Sequence, residues 1–270
     1  MANSRKMIEE AVNQVMQSYE ARKPADPFSG PLETLSQEEA YRVQYGLIKR
    51  WSARGQKVIG RKVALTNKAT RIQFGIEEPI FGHLMNTGIF LDGSSVPLDQ
   101  FVNPLVEPEV AFLLKQDLKG PGITPLSVLQ ATEGVLPAME VGDILLKPRP
   151  EPVGGGAKFK AIDLIGYNAL NAGVVLGPQL TPIQNLNLRY EGVVLELDGE
   201  LVGSGAGAEV MGNPVHSVAW LANKLTEFED YLRAGEIIIS GSITSYVKVK
   251  KGNHVTVTFT RLGSVGVKFV

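Results

Sequence analysis

The sequence has no cysteine and only three histidines, His83, His216 and His254. The first absence excludes disulfides, thiolate metal sites, iron–sulfur clusters and a cysteine nucleophile together. The second leaves no histidine pair at metal-ligand spacing, and no serine sits in a Gly-x-Ser-x-Gly elbow to which a histidine could be added. No apolar run approaches the ~20 residues of a membrane-spanning helix, and the opening MANSRKMIEEAVNQ has no apolar leader core. Both point to a soluble, cytoplasmic protein without a membrane partner. An excess of one charge is missing too: 27 basic side chains face 28 acidic ones, for a net charge of −1. A nucleic-acid partner would call for a basic stripe, so none is expected. Neither Gly-x-x-x-x-Gly-Lys nor Gly-x-Gly-x-x-Gly after a strand occurs, which removes the common phosphate-cradling loops.

What remains is a globular composition. With 44% apolar and 20% charged residues in 270, the chain can bury a substantial core. Met7, Ile8, Val12, Val15, Met16 and Tyr19 share one helical face over 5–22, and Lys23-Pro24-Ala25-Asp26-Pro27 ends that helix. Ser36 with Glu39 forms a capping box for a second helix, whose inward stripe is Ala40, Val43, Leu47 and Trp51. Strands are expected over 57–65, 106–114 and 135–146, and Thr124-Pro125 opens a short helix. Asp198-Gly199 reads as a hairpin turn between strands over 188–197 and 201–202. The glycine-rich Gly203-Ser204-Gly205-Ala206-Gly207 reads as a close-packing or tight-turn segment. One helix is expected over 214–232, then short strands over 236–240, 246–249, 254–260 and 265–270. Lys147 to Lys158, with its prolines and glycines, reads as an exposed, mobile flap. The pattern predicts an α+β fold: a β-rich roll or sandwich core with outer helices. A weak boundary near 75 divides an N-terminal helical region with the first core strand (1–75) from a β-rich catalytic region (76–270), the two forming one integrated domain.

Three carboxylates stand out. In Val106-Glu107-Pro108-Glu109-Val110, alternation sends Glu107 and Glu109 to the same face. Spacing alone favours a solvated strand edge, where acidic charge blocks aggregation and Pro108 is tolerated. Glu140, in the apolar Leu136-Pro137-Ala138-Met139-Glu140-Val141, is costly to bury without a partner. Together the three would make an all-oxygen site for a hard divalent cation, Mg²⁺ or Mn²⁺. Lys62 interrupts the apolar strand Ile59-Gly60-Arg61-Lys62-Val63-Ala64-Leu65. Pointing into a cleft, it would have a lowered pKa and exchange protons near neutrality; an outward, half-exposed lysine is the alternative.

These segments resemble the 2-keto-4-pentenoate hydratase / 4-oxalocrotonate decarboxylase family, a branch of the fumarylacetoacetate hydrolase superfamily. The likeness runs from Ala40-Tyr41-Arg42-Val43-Gln44 to the C-terminus. It is carried by Gly60 to Thr66, Glu107-Pro108-Glu109-Val110-Ala111, Leu136 to Val141, Gly212-Asn213-Pro214 with Val218 to Ala222, and Leu262-Gly263-Ser264-Val265. The resemblance implies a fumarylacetoacetate hydrolase C-terminal-domain-like roll in a homo-oligomer, with possible association to a homologous hydratase or decarboxylase. It implies Glu107, Glu109 and Glu140 as ligands of Mg²⁺ or Mn²⁺ and Lys62 as the proton-transfer residue. The substrate-facing set on this reading is Arg61, Leu65, Thr66, Asp143, Lys160, Ser242 and Thr244, around a small unsaturated 2-oxo acid. Arg71 and Arg149 are further candidates for a distal carboxylate.

Gly120-Pro121-Gly122, Asp143, Leu221-Ala222-Asn223 and Gly241-Ser242-Ile243-Thr244 lean toward decarboxylation; Arg61 and Gly212-Asn213-Pro214 lean toward hydration. A non-catalytic partner subunit, or an acylpyruvate-type hydrolase using His83 as base, are the remaining readings. Departures from the family pattern fall at Ile144-Leu145, in the flap, and at Gly166-Tyr167-Asn168-Ala169-Leu170-Asn171.

Overall fold

The computed structural model describes residues 2–152 and 156–270. In chain order its helices are α1 (Ala2–Ala21), α2 (Gln37–Ala53), α3 (Lys68–Phe74), α4 (Pro125–Ala131), α5 (Ala161–Gly166) and α6 (Pro214–Lys224). The strands that build the first sheet are β1 (Val58–Ala64), β2 (Ile80–Met85), β3 (Ile89–Leu91), β5 (Pro104–Leu114), β6 (Thr132–Asp143), β7 (Asn171–Leu176), β10 (Ile237–Ile239) and β11 (Val247–Lys248). Those of the second are β4 (Ser95–Val96), β8 (Gly192–Leu197), β9 (Glu200–Ala206), β12 (His254–Phe259) and β13 (Gly263–Phe269). The result is the expected α+β architecture of mixed sheets with outer helices.

Among the described residues the larger sheet runs β2-β1-β10-β5-β6-β7-β3, with β11 beside β5, and the smaller runs β4-β13-β12-β8-β9. Pairing is antiparallel except for β1 with β10, β3 with β7 and β4 with β13. The facing surfaces join one apolar core, in which Val141 and Val110 of the first sheet belong with Val255, Val257, Val265 and Phe269 of the second.

Local chemistry explains the first elements. The Ser36 hydroxyl accepts from the Glu39 N–H while the Glu39 carboxylate accepts from the Ser36 N–H, so α2 starts where the capping box places it. Its Ala40, Val43 and Leu47 are fully buried, against Ala11, Val12 and Val15 of α1. Thr124 caps α4 in the same manner, with Pro125 at the first helical position.

Two elements differ from the sequence expectation. The helix over 214–232 stops at Lys224, gives one 3₁₀ turn over Leu225–Phe228, and closes at Glu229 in a left-handed conformation. Its continuation is pulled away by tertiary bonds: Asp230 pairs with buried Arg61, and Leu232 bridges to Leu118. The glycine-rich segment 203–207 is strand rather than turn through Ala206. Close packing is what its glycines serve, since a Cβ on Gly205 would lie 2.5 Å from the Ile243 carbonyl oxygen. Of the expected flap over 147–158, residues 153–155 lie outside the described residues.

Candidate metal centre and active site

The carboxylates are assembled by strand register. β5 and β6 are antiparallel with Glu107 opposite Glu140 and Glu109 opposite Ala138. Directly opposed residues share a face, as do residues two apart on one strand, so the three side chains converge. One carboxylate oxygen from each lies within 4.8 Å of the others.

This site is no solvated edge. β5 is an interior strand, covered by β6 on one side and by β10 and β11 on the other. β10 reaches only Ala111 to Leu113, and β11 only Leu105 and Val106, which leaves a gap at 107–110. The segment after β10 fills it irregularly: Ser240 N–H donates to the Val110 carbonyl and Ile243 N–H to the Pro108 carbonyl. Pro108 therefore sits where the regular ladder is interrupted, which answers how an interior strand tolerates it. Gly241 N–H donates to Glu109 Oε2 at 2.6 Å. Glu109 and Glu140 are buried and Glu107 is half-buried.

Lys62 comes from β1, which pairs with β2 and with β10. Its Nζ lies 2.6 Å from Glu140 Oε1 and donates to the Ala169 carbonyl at 3.0 Å. That carbonyl is presented by a turn in which Asn168, Ala169 and Leu170 have φ of 54°, 49° and 60°. Left-handed conformations cost a non-glycine residue roughly 1–2 kcal/mol each, so three in succession need support. Asn168 provides it by exchanging two hydrogen bonds with the backbone of His83, at 2.7 and 2.9 Å. The next residue, Asn171, donates through Nδ2 to Glu140 Oε1 at 3.0 Å.

The electrostatics call for a cation. Burial, then the charge of Glu140, pushes the Glu107 carboxyl up to about 7, against the opposing pull of Lys62. Burial and Glu140 hold Glu109 well above the usual carboxylate range. Burial alone would lower Lys62, but the three glutamates outweigh it and raise its pKa. Without a metal, Lys62 is therefore held as the ammonium, opposite in direction to the lowering expected from burial in a cleft. Ionised together, as ligation of a metal requires, the three carboxylates would leave two negative charges beyond the one that Lys62 balances. Glu140 Oε2 is buried without a hydrogen-bond partner. An all-oxygen donor set with that charge and an orphaned oxygen fits a hard divalent cation.

The cluster forms the floor of a cavity of about 720 Å³. Leu65, Thr66, Ser242 and Thr244 line it. Arg61, Asp143 and Lys160 do not, and each is a correction. Arg61 leaves β1 on the face opposite Lys62, where its guanidinium is buried against Asp230 at 2.9 Å and Glu236 at 3.2 Å. Asp143 turns to the backbone, accepting the N–H groups of Val102 and Asn103. Lys160 pairs with Glu33 at 2.7 Å on the outside.

Arg71 binds the Leu65 and Thr66 carbonyls from behind, and Arg149 is bound to Glu33, Asp163 and the Phe28 carbonyl. His83 lies on the Arg61 side; burial, then the Arg61 charge, holds it well below the usual imidazole value, and it does not line the cavity. Sequence reasoning missed Asn171, the turn before it and the Gly241 N–H. Asn168 is the one signal for that turn, since asparagine tolerates left-handed backbone.

A β-rich roll holding three converging glutamates and a lysine in a cavity defines a class of divalent-metal enzymes. The Fumarylacetoacetate (FAA) hydrolase C-terminal family matches residues 57–270, and the chain belongs to that family. It is 39% identical over 232 residues to a 4-oxalocrotonate decarboxylase of Pseudomonas sp. (strain CF600), covering 86% of this chain and 85% of that one. It is 37% identical over 236 residues to a 2-oxo-hept-4-ene-1,7-dioate hydratase of Escherichia coli, covering 86% of each. Among solved structures, 4-oxalocrotonate decarboxylase from Pseudomonas putida G7, complexed with magnesium and adipate, superposes with a TM-score of 0.92 at 32% identity over 98% of both chains. No helix among the described residues is long and apolar enough to cross a membrane.

Proposed function

We propose that the protein is a divalent-metal-dependent lyase for a small unsaturated 2-oxo acid, of 4-oxalocrotonate decarboxylase type. The observation that carries this reading is the set of three converging carboxylates, one of them paired with a buried lysine, on the floor of a cavity large enough for such an acid. Glu107, Glu109 and Glu140 would hold Mg²⁺ or Mn²⁺. The bound ion supplies a Lewis acid for the carboxylate and 2-oxo oxygens of the substrate, where negative charge grows in the transition state.

This chain's residues do the rest. The half-buried and buried strands around the cluster exclude bulk water and so strengthen every charge interaction inside. As the bond to the departing carboxylate breaks, CO₂ leaves and its electron pair spreads through the conjugated system to the 2-oxo oxygen. The Lys62 ammonium, fixed by Glu140 and the Ala169 carbonyl, carries the proton that the dienolate then takes up. Leu65, Thr66, Ser242 and Thr244 bound the space in which the substrate lies.

Hydration is the second reading. It is favoured by the nearly equal identity to the Escherichia coli hydratase, 37% against 39%. It needs the same dienolate chemistry with water added to the alkene. Incubation of the Mg²⁺-loaded protein with 4-oxalocrotonate and with 2-hydroxypenta-2,4-dienoate separates the two: CO₂ release identifies the decarboxylase, dienol loss alone the hydratase. Absence of both contradicts the lyase reading and leaves a non-catalytic partner subunit. Assembly into a homo-oligomer, alone or with a homologous hydratase, and residence in the cytoplasm belong to the same proposal. The outer strand β9, with Leu201 65% and Val202 42% exposed, is an edge suited to such an interface.

A further inference from the structure

The two oxygens of Glu140 are treated differently by the fold. Oε1 receives both available donors, Lys62 Nζ at 2.6 Å and Asn171 Nδ2 at 3.0 Å, while Oε2 is buried and receives none. Glu109 is divided in a similar way, with Oε2 held by the Gly241 N–H at 2.6 Å. Both donors to Glu140 Oε1 depend on one stretch of four residues. Asn168 anchors it to the His83 backbone, the Ala169 carbonyl aims the Lys62 ammonium, and Asn171 reaches the carboxylate directly. A carboxylate oxygen occupied by an ammonium and an amide is poorly free to ligate a metal, so these glutamates offer one oxygen each rather than two.

Cation size responds to that difference. Mg²⁺ takes six ligands in near-octahedral array and keeps several waters; Ca²⁺ takes six to eight oxygens and readily uses bidentate carboxylates. We propose that Asn171 is a positioning residue which, with Lys62, keeps Glu140 a one-oxygen ligand and so biases the site toward a small six-coordinate cation over Ca²⁺. The inference rests on the divalent-metal reading above and goes beyond it, because it assigns a role in ion choice to a residue that touches no substrate.

The test is calorimetric titration of the full, chelator-stripped chain with MgCl₂ and with CaCl₂, for wild type, Asn171→Leu and Asn171→Ala. Circular dichroism and Tm establish that each variant is folded. Wild type is expected to bind one Mg²⁺ per chain. Asn171→Leu is expected to lose Mg²⁺ affinity about tenfold or more, in the range typical of residues that orient a metal ligand. Its Ca²⁺ affinity falls less or rises, so the Mg²⁺/Ca²⁺ preference shrinks. Asn171→Ala, which removes the donor without adding bulk, is read identically if the leucine variant does not fold. A folded variant in which both affinities drop by the same factor, or in which neither changes, overturns the inference. Wild type that binds neither ion overturns the metal-site reading itself, and this inference with it.

Discussion

Glu109→Gln should make the metal-free protein more stable while costing it the metal. The substitution preserves shape and leaves an oxygen for the Gly241 N–H, but removes one of three crowded negative charges. Coulomb's law at an effective dielectric of ~20 gives about 3–4 kcal/mol for two unit charges at the 4.8 Å limit of the cluster. Glu109 faces two such neighbours; Lys62 opposes them, and burial adds to the cost of its charge. A net relief of about 1–3 kcal/mol above the folded-state pKa follows, or roughly 2–8 °C in Tm for a chain of this size.

The sign depends on pH. A carboxyl whose folded-state pKa is raised destabilises the fold progressively as pH climbs from its unfolded value to that raised value, and by a constant amount above it. The advantage of the glutamine is therefore greatest near pH 8.5 and fades toward pH 5, where the wild-type carboxyl is protonated. Saturating Mg²⁺ reverses the order, because a ligand held only by the folded state adds RT ln(1 + [L]/Kd) to wild type and less to the variant. Thermal scans at pH 5 and 8.5, in EDTA and in Mg²⁺, read all four corners. A variant less stable than wild type in EDTA at pH 8.5, or one keeping the full Mg²⁺ shift, would refute the reasoning.

Other consequences are simpler to state. Lys62→Met should lower kcat at least about 100-fold in a folded protein that still binds the ion, since it removes the proton donor and no ligand; steady-state kinetics alongside calorimetry check this. Asp230→Asn should cost about 1–3 kcal/mol in urea unfolding at pH 7, by leaving the buried Arg61 with Glu236 as its remaining carboxylate. Burial raises the Asp230 pKa, but Arg61, with the Tyr231 N–H and Arg233, more than offsets this and brings it to about 2. Its contribution is thus complete above the unfolded value of ~3.9 and is lost as pH falls toward 2, so the difference between wild type and Asp230→Asn should close over that window. Gly60→Ala would set a Cβ 1.8 Å from the Ile237 carbonyl oxygen, and should destabilise by about 3 kcal/mol or more as β1 is forced from β10.

The sequence made the metal cluster legible because its information is local. Alternation puts Glu107 with Glu109, and a lone carboxylate in an apolar strand asks for a partner. What alternation could not say was that Glu140 lies directly opposite Glu107, a fact of β5–β6 register. The capping box of α2, the Thr124-Pro125 start of α4 and the Asp198-Gly199 hairpin were readable for the same reason: a few neighbouring residues determine them.

Arg61 was within reach, since the alternation that turns Lys62 inward turns its neighbour outward; its resemblance-based role was set aside by Asp230 and Glu236. That Asp143 and Lys160 are held away from the cavity could not be read from the sequence, because their partners, the Val102–Asn103 backbone and Glu33, are remote from them. Of the left-handed turn over Asn168 to Leu170, Asn168 alone gave a sign. Nothing in alanine or leucine announces positive φ, and only the packed surroundings impose it.

The most direct test is Mn²⁺ electron paramagnetic resonance on the chelator-stripped protein, in wild type and in Glu107→Gln, Glu109→Gln and Glu140→Gln. The account predicts one Mn²⁺ per wild-type chain, displaced by excess Mg²⁺, with a spectrum that changes on adding a 2-oxo acid, and weakened binding in every variant. Mn²⁺ that fails to bind, or that binds equally well after any of the three substitutions, would contradict it.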